Sequence, residues 1–299
     1  MADDDVPRFP RGRFNKRHLP EPYNRDLSGV LRHLNRRTRL GRARLANDPV
    51  TAAYLCAGMR LLEKHFGPGA REHAHVESPL LGFVSQRVVA AAVSGNPEAF
   101  VRIGTVAGLR DRWSVHADFI ADLINFAVWL ENYRPGYREQ RVGDTEQLVN
   151  GPDLAAAVLE TAYRHTAEGL DTTSVRFSLA LMAGGAGDDV VREAIDGVYR
   201  GYLASWKELY ATVIKERGLR LRPGLTLDDL ANALSAAADG TILRAMGDPG
   251  AGVVDHARRR SLMGNLALAV ILAFLEPEED AGGLTLEQAV RARFEGWMP

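Results

Sequence analysis

Between residues 188 and 217, apolar side chains return every three or four positions. Val191, Ile195, Val198, Tyr202, Trp206, Leu209 and Val213 share one stripe, the pattern of a long amphipathic helix rather than the two-residue period of a strand. Such a helix needs other helices to cover its stripe, because tertiary packing supplies most helical stability. The rest of the chain supplies candidates. Residues 50–66 carry Tyr54, Leu55, Leu61, Leu62 and Phe66 at helical spacing, open with Asp48-Pro49 and stop at Gly67-Pro68. Further helices are predicted over 26–46, 80–93, 97–108, 115–133, 153–168, 173–182, 226–246, 253–274 and from 285. Asn96-Pro97, Ser114, Thr226 with Asp229, and Thr285 with Gln288 mark their starts. The run LALAVILAF at 266–274 is apolar on nearly every side, so burial between subunits is expected. With no clear hairpin signal, the fold class is all-α.

The 299 residues contain one cysteine, Cys56, which excludes a disulfide framework and any multi-cysteine metal site. No apolar run reaches the roughly 18–20 residues that cross a bilayer. The first residues are acidic and then basic, without the apolar core of a secretory signal, so a cytoplasmic location and no membrane partner are expected. The net charge of −1 is a cancellation. Residues 6–47 hold 12 Lys/Arg against Glu21 and Asp26, a balance of +10, which leaves −11 for the remainder. A basic arm on an acidic body points to a polyanion partner, nucleic acid before membrane. A solubilising tail would have the same composition. Pro7, Pro10, Pro20 and Pro22 make the first 25 residues an extended arm, and Pro135, Gly136 and Gly143 make 134–151 the candidate linker.

The second half carries an ordered set of features. A long helix from Asp188 is followed by the basic connector Glu216-Arg217-Gly218-Leu219-Arg220-Leu221-Arg222-Pro223. A helix then opens with Asp228-Asp229 and runs to Asp239-Gly240-Thr241-Ile242-Leu243, followed by Asp248-Pro249. This order resembles the C-terminal region of TetR-family transcriptional regulators. Upstream, residues 100–123 resemble that family's helix-turn-helix, with Ala107-Gly108 as the turn. There a glycine avoids a Cβ clash, and a following helix offers side chains to the major groove.

The resemblance implies a TetR-like helical bundle with a basic extension at 1–79, an atypical helix-turn-helix at 80–133 and a ligand-binding and dimerisation domain at 145–299. It implies DNA contacts from Arg110, Arg112 and Ser114, with Val106, Leu109 and Trp113 packing inwards. Asp111 and Asp118 put negative charge where phosphates would lie, and 114–132 reads as one continuous helix. Arginines 36, 37, 39, 42 and 44 (Arg36, Arg37, Arg39, Arg42, Arg44) offer sequence-independent phosphate contacts that offset a weak recognition helix. A small apolar or amphipathic effector is implied between Phe177, Met182, Tyr199, Tyr202, Trp206 and Tyr210, side chains that also suit a plain core. A homodimer is expected to pair Leu230, Leu234, Ile242, Leu262, Leu266, Val270 and Phe274 as a four-helix interface.

Other constellations point elsewhere. A TetR-like ligand-binding or interaction module without DNA readout fits the degenerate motif. Asp188, Asp189 and Glu193 resemble a metal-binding motif of all-α terpene synthases, but the second motif is missing and acids at a helix start complement its dipole. His65, His73, His75 and Glu72 hold metal-binding groups on a loop without a fixed face. Phosphate-loop, nucleophile-elbow and zinc-protease motifs are all missing, so neither an enzyme nor a cofactor is expected.

Overall fold

A computed structural model describes residues 19–67, 82–96, 104–132, 137–183, 189–279 and 283–294. The fold is all-α, with twelve α-helices among the described residues. Contacts divide the chain into two compact units: Met1–Leu130 with Gly184–Ile195, and Glu131–Ala183 with Asp196–Pro299.

The first unit holds α1 (Arg39–Ala46), α2 (Pro49–Phe66), α3 (Gln86–Ala92), α4 (Val106–Arg112) and most of α5 (His116–Asn132). Asp48 caps α2 through the Val50 amide, with Pro49 in the first turn, as its sequence implies. The helix expected over 26–46 is shorter. Thr38 caps α1, and the residues before it form turns whose Leu27, Leu31 and Leu34 are buried together with Tyr23. The described part of 1–79 is therefore not an appendage: α2 packs against α3 and α4, and its Tyr54, Leu55 and Leu62 are among the largest fully buried side chains. Trp113, Phe119, Ile120, Leu123 and Ile124 join them around α4 and α5.

The second unit holds α6 (Tyr137–Asn150), α7 (Leu154–Asp171), α8 (Thr173–Ala183), most of α9 (Asp189–Glu216), α10 (Leu227–Gly247), α11 (Leu262–Phe274) and α12 (Leu286–Phe294). The expected linker is helical as α6, and an added Cβ at its Gly143 would meet open space, so the glycine breaks nothing. α7 is central and packs against α6, α10 and α11. Its core joins Val158, Leu209, Leu230, Leu234, Ala267 and Leu275. Thr226 and Asp229 form the capping box that their spacing announces.

Two short antiparallel ladders correct the strand-free expectation. β1 (Leu219–Leu221) pairs with β4 (Leu275–Pro277), placing Arg220 opposite Glu276, and β2 (Val254–Asp255) pairs with β3 (Arg260–Ser261). The second ladder starts α11 at Leu262 rather than at 253. The connector's basic residues act structurally here. Arg217 donates to the carbonyls of Leu148 and Gly151 at the end of α6, while Arg220 and Arg222 pair with the buried Glu276 at 2.8 and 3.0 Å. No helix among the described residues is long and apolar enough to cross a membrane.

Candidate nucleic-acid interface and ligand site

α5 runs unbroken from His116 to Asn132, as 114–132 suggests, while Trp113, Ser114 and Val115 leave helical geometry and set it apart from α4, which runs through Ala107-Gly108. α4 is only seven residues long, too short to hold itself by its own hydrogen bonds. Its neighbours hold it at both ends. Thr105 caps the N-terminus by accepting from the Gly108 amide at 2.9 Å. The buried Tyr54 hydroxyl accepts from the Thr105 amide at 2.9 Å and donates to the Thr105 carbonyl at 2.8 Å. Gly108 therefore lies inside α4 rather than in a turn. A Cβ there would come within 2.7 Å of the Tyr54 hydroxyl.

The C-terminal carbonyls of α4 would otherwise face no partner. The Asn35 amide donates to the Arg112 carbonyl at 2.7 Å, and Arg36 Nη1 donates to the Asp111 carbonyl at 2.9 Å. Arg36 Nη2 also reaches both carboxylate oxygens of Asp111, at 3.0 and 2.9 Å. The segment that brings Arg36 there is itself fixed by Asp122 on α5. Its fully buried carboxylate accepts from the amides of Arg32 and His33 and from Trp113 Nε1.

The predicted DNA contacts separate on this frame. Arg110 is exposed and donates from Nε to Gln86 at 2.9 Å. Ser114 is exposed and donates to Asp118 at 3.3 Å. Arg112 turns inwards, only 8% exposed. It pairs with Asp48 at 2.8 Å, donates to Thr51 and to the Gly108 carbonyl, and lies over the Tyr54 ring. A guanidinium so enclosed reaches no solvent-side ligand, so its place beside Arg110 on an outer surface is corrected. Val106, Leu109 and Trp113 pack as expected, Leu109 and Trp113 completely. Arg37, Arg39, Arg42 and Arg44 are exposed and form no ion pair among the described residues, whereas Arg36 is committed to Asp111.

In the second unit, Tyr202, Trp206 and Tyr210 form a continuous ring column on α9, with centroids 6.0 and 5.7 Å apart, and His165 of α7 meets Trp206 edge-on at 4.8 Å. Tyr199 donates its hydroxyl to Asp239 of α10. Burial pushes the pKa of Tyr199 well above the ordinary phenol value, and the Asp239 bond adds to it; burial also raises Asp239 and Tyr210. Phe177 is buried and Met182 is 36% exposed.

Leu230, Leu234 and Ile242 are buried in the protomer, so their expected role between subunits is corrected. Leu230 and Leu234 face its own core, alongside Leu209 and Ala267. Leu262 and Leu266 are exposed, and Val270 and Phe274 are half-buried. α11 is consequently not enclosed on all sides. Leu272, which sequence reasoning left out, is 77% exposed, and α10 adds Leu243.

Asp189 and Glu193 are exposed, with Asp189 paired to Arg192; Asp188, Glu72, His73 and His75 lie outside the described residues. His65 stacks on Phe83 at 4.0 Å. The described residues contain no cluster of His, Cys, Asp or Glu fit for a metal. No family model, curated protein or solved structure matches this chain.

Proposed function

We propose that this chain is a ligand-responsive, DNA-binding transcriptional regulator of the TetR type, acting as a homodimer. One observation carries the reading. A short helix, α4, presents Ala107, Arg110 and Asp111 outwards with Ser114 just beyond its end, and a segment whose Arg37, Arg39, Arg42 and Arg44 form no ion pair among the described residues is fastened to that end. In this reading α4 approaches base edges, while Arg37, Arg39, Arg42 and Arg44 contact phosphates and supply sequence-independent affinity. Arg36 contributes through Asp111, and Arg112 supports α4 from inside.

The effector domain is the second unit. Its aromatic column and the Tyr199–Asp239 pair offer apolar ring faces beside a polar group, which suits a small apolar or amphipathic ligand. Such a ligand would favour one spacing of the two DNA-binding units in the dimer, and so one DNA affinity. A second reading, a ligand-binding or interaction module without DNA readout, is favoured by the inward turn of Arg112, which leaves Arg110 as the one exposed arginine of α4.

A titration of the intact chain with mixed-sequence duplex DNA separates the two. Binding that tightens as salt falls from about 200 to 50 mM, with a steep log–log slope, is the expected result. Absence of binding at low salt overturns the regulator reading in favour of the module. Truncation at residue 47 is the wrong control, since Tyr23, Leu27, Leu31 and Leu34 belong to the core.

A further inference from the structure

We propose that residues 35–44 and α4 form one composite duplex-binding surface, with Arg36 as the positioning residue that fastens the segment to α4 and cancels the charge of Asp111. The inference rests on the DNA reading above and adds how its two parts are joined.

Three observations converge. First, the junction is specific: Arg36 and Asp111 are 75 positions apart, yet Arg36 contacts both the carboxylate and the carbonyl of Asp111, and Asn35 meets the next carbonyl. A guanidinium that only happened to lie near an exposed acid would not also complete the helix end. Second, the junction is electrically neutral. Asp111 would repel a phosphate, and its neighbour in space removes that charge. Third, what remains is one-signed. Arg37 follows the junction in the chain and Arg110 precedes Asp111 on α4, and both are exposed. From residue 27 to 47 the chain contains no Asp or Glu. Leu40 is the only large apolar side chain exposed there, so the segment lacks the apolar face that inserts into a membrane surface. A duplex, with one negative charge per about 1.7 Å of axis, is the complementary partner.

The test uses the intact chain, a fluorescent mixed-sequence duplex of about 25 base pairs, and salt from about 50 to 200 mM. Replacing Arg37 and Arg39 together by Ala is expected to reduce the log–log salt slope by about 2 per protomer. Arg36→Asp, which sets two acids against each other, is expected to weaken binding at least about tenfold, and the charge swap Arg36→Asp with Asp111→Arg to recover most of it. Hydrogen exchange at the Asn35 amide, measured without DNA, is expected to accelerate in Arg36→Asp and to slow again in the swap. Should Arg36→Asp not fold, Arg36→Gln replaces it; it keeps a donor but no charge, and a several-fold loss of affinity is expected.

Duplex binding by the wild type with no loss in the Arg36 variants overturns this inference and leaves the DNA reading standing. A swap that restores amide protection but not binding also overturns it. Failure of the wild type to bind duplex overturns the DNA reading itself, whatever the exchange shows. Tighter binding to anionic lipid vesicles than to duplex overturns the assignment of partner.

Discussion

Three N–H groups converge on the buried carboxylate of Asp122: the Arg32 amide at 2.7 Å, the His33 amide at 3.2 Å and Trp113 Nε1 at 2.9 Å. Both oxygens face donors, so an amide in the same place must turn its NH2 towards one of them. Asp122→Asn is therefore expected to cost about 1–3 kcal/mol, read as a lower urea midpoint. Burial pushes the Asp122 pKa above the ordinary carboxylate value, outweighing the hydrogen bonds and His33, which pull it down. With the folded pKa above the unfolded one, the linked stability is fully present below the unfolded value and is lost as pH rises through the folded value. His116 runs the other way, since burial lowers its pKa and its contribution is lost as pH falls. The difference in stability between wild type and Asp122→Asn isolates the first effect. It is expected to shrink as pH rises from about 4 to 7.

Element by element, the chain announces helices wherever the cue is local. Asp48-Pro49, the Thr226–Asp229 box and the Thr285–Gln288 pair all lie within three residues of the ends they cap. α4 has such a cue only at its N-terminus, where Thr105 caps it. Its other supports, Tyr54 and Asn35 with Arg36, arrive from more than 50 positions away. α6 was masked by a glycine that costs little where nothing crowds it, and the β2–β3 ladder is too short to show alternation. Arg112 misled for the same reason: only the fold places Asp48 and Thr51 around it. Gly108 makes the point measurable. By helix propensity alone Gly108→Ala would gain about 1 kcal/mol, but its Cβ would displace the buried Tyr54 hydroxyl from Thr105. The substitution is expected to destabilise the wild type by about 1–2 kcal/mol and to do much less harm in a Tyr54→Phe background. Thermal unfolding of the four variants in a double-mutant cycle gives the coupling.

For the whole molecule, the near-neutral total hides a segregation that the structure makes concrete. The described part of the basic segment, residues 19–47, is built into a core instead of trailing from it. The apolar surface is equally uneven, with Leu262, Leu266 and Leu272 on α11 and Leu243 on α10 left exposed. Exposed apolar side chains grouped in this way mark an interaction face, which the proposed homodimer would cover. Leu266→Glu with Leu272→Glu is expected to shift the protein from dimer to monomer in sedimentation velocity while leaving the helical content unchanged. Leu234→Ala, in the protomer's own core, is expected instead to lower stability by about 2–5 kcal/mol without dissociating the dimer. A monomeric wild type would remove the two-fold arrangement from the proposed mechanism.

The closing of α4 by Asn35 and Arg36 also bears on how the chain is made. A ribosome releases residues in order, and N-terminal segments have the first opportunity to fold. The groups that complete α4 are thus already outside when its residues emerge 75 positions later. The cap therefore waits for its helix rather than the reverse, and only Asp122, which fixes the capping segment, has still to follow.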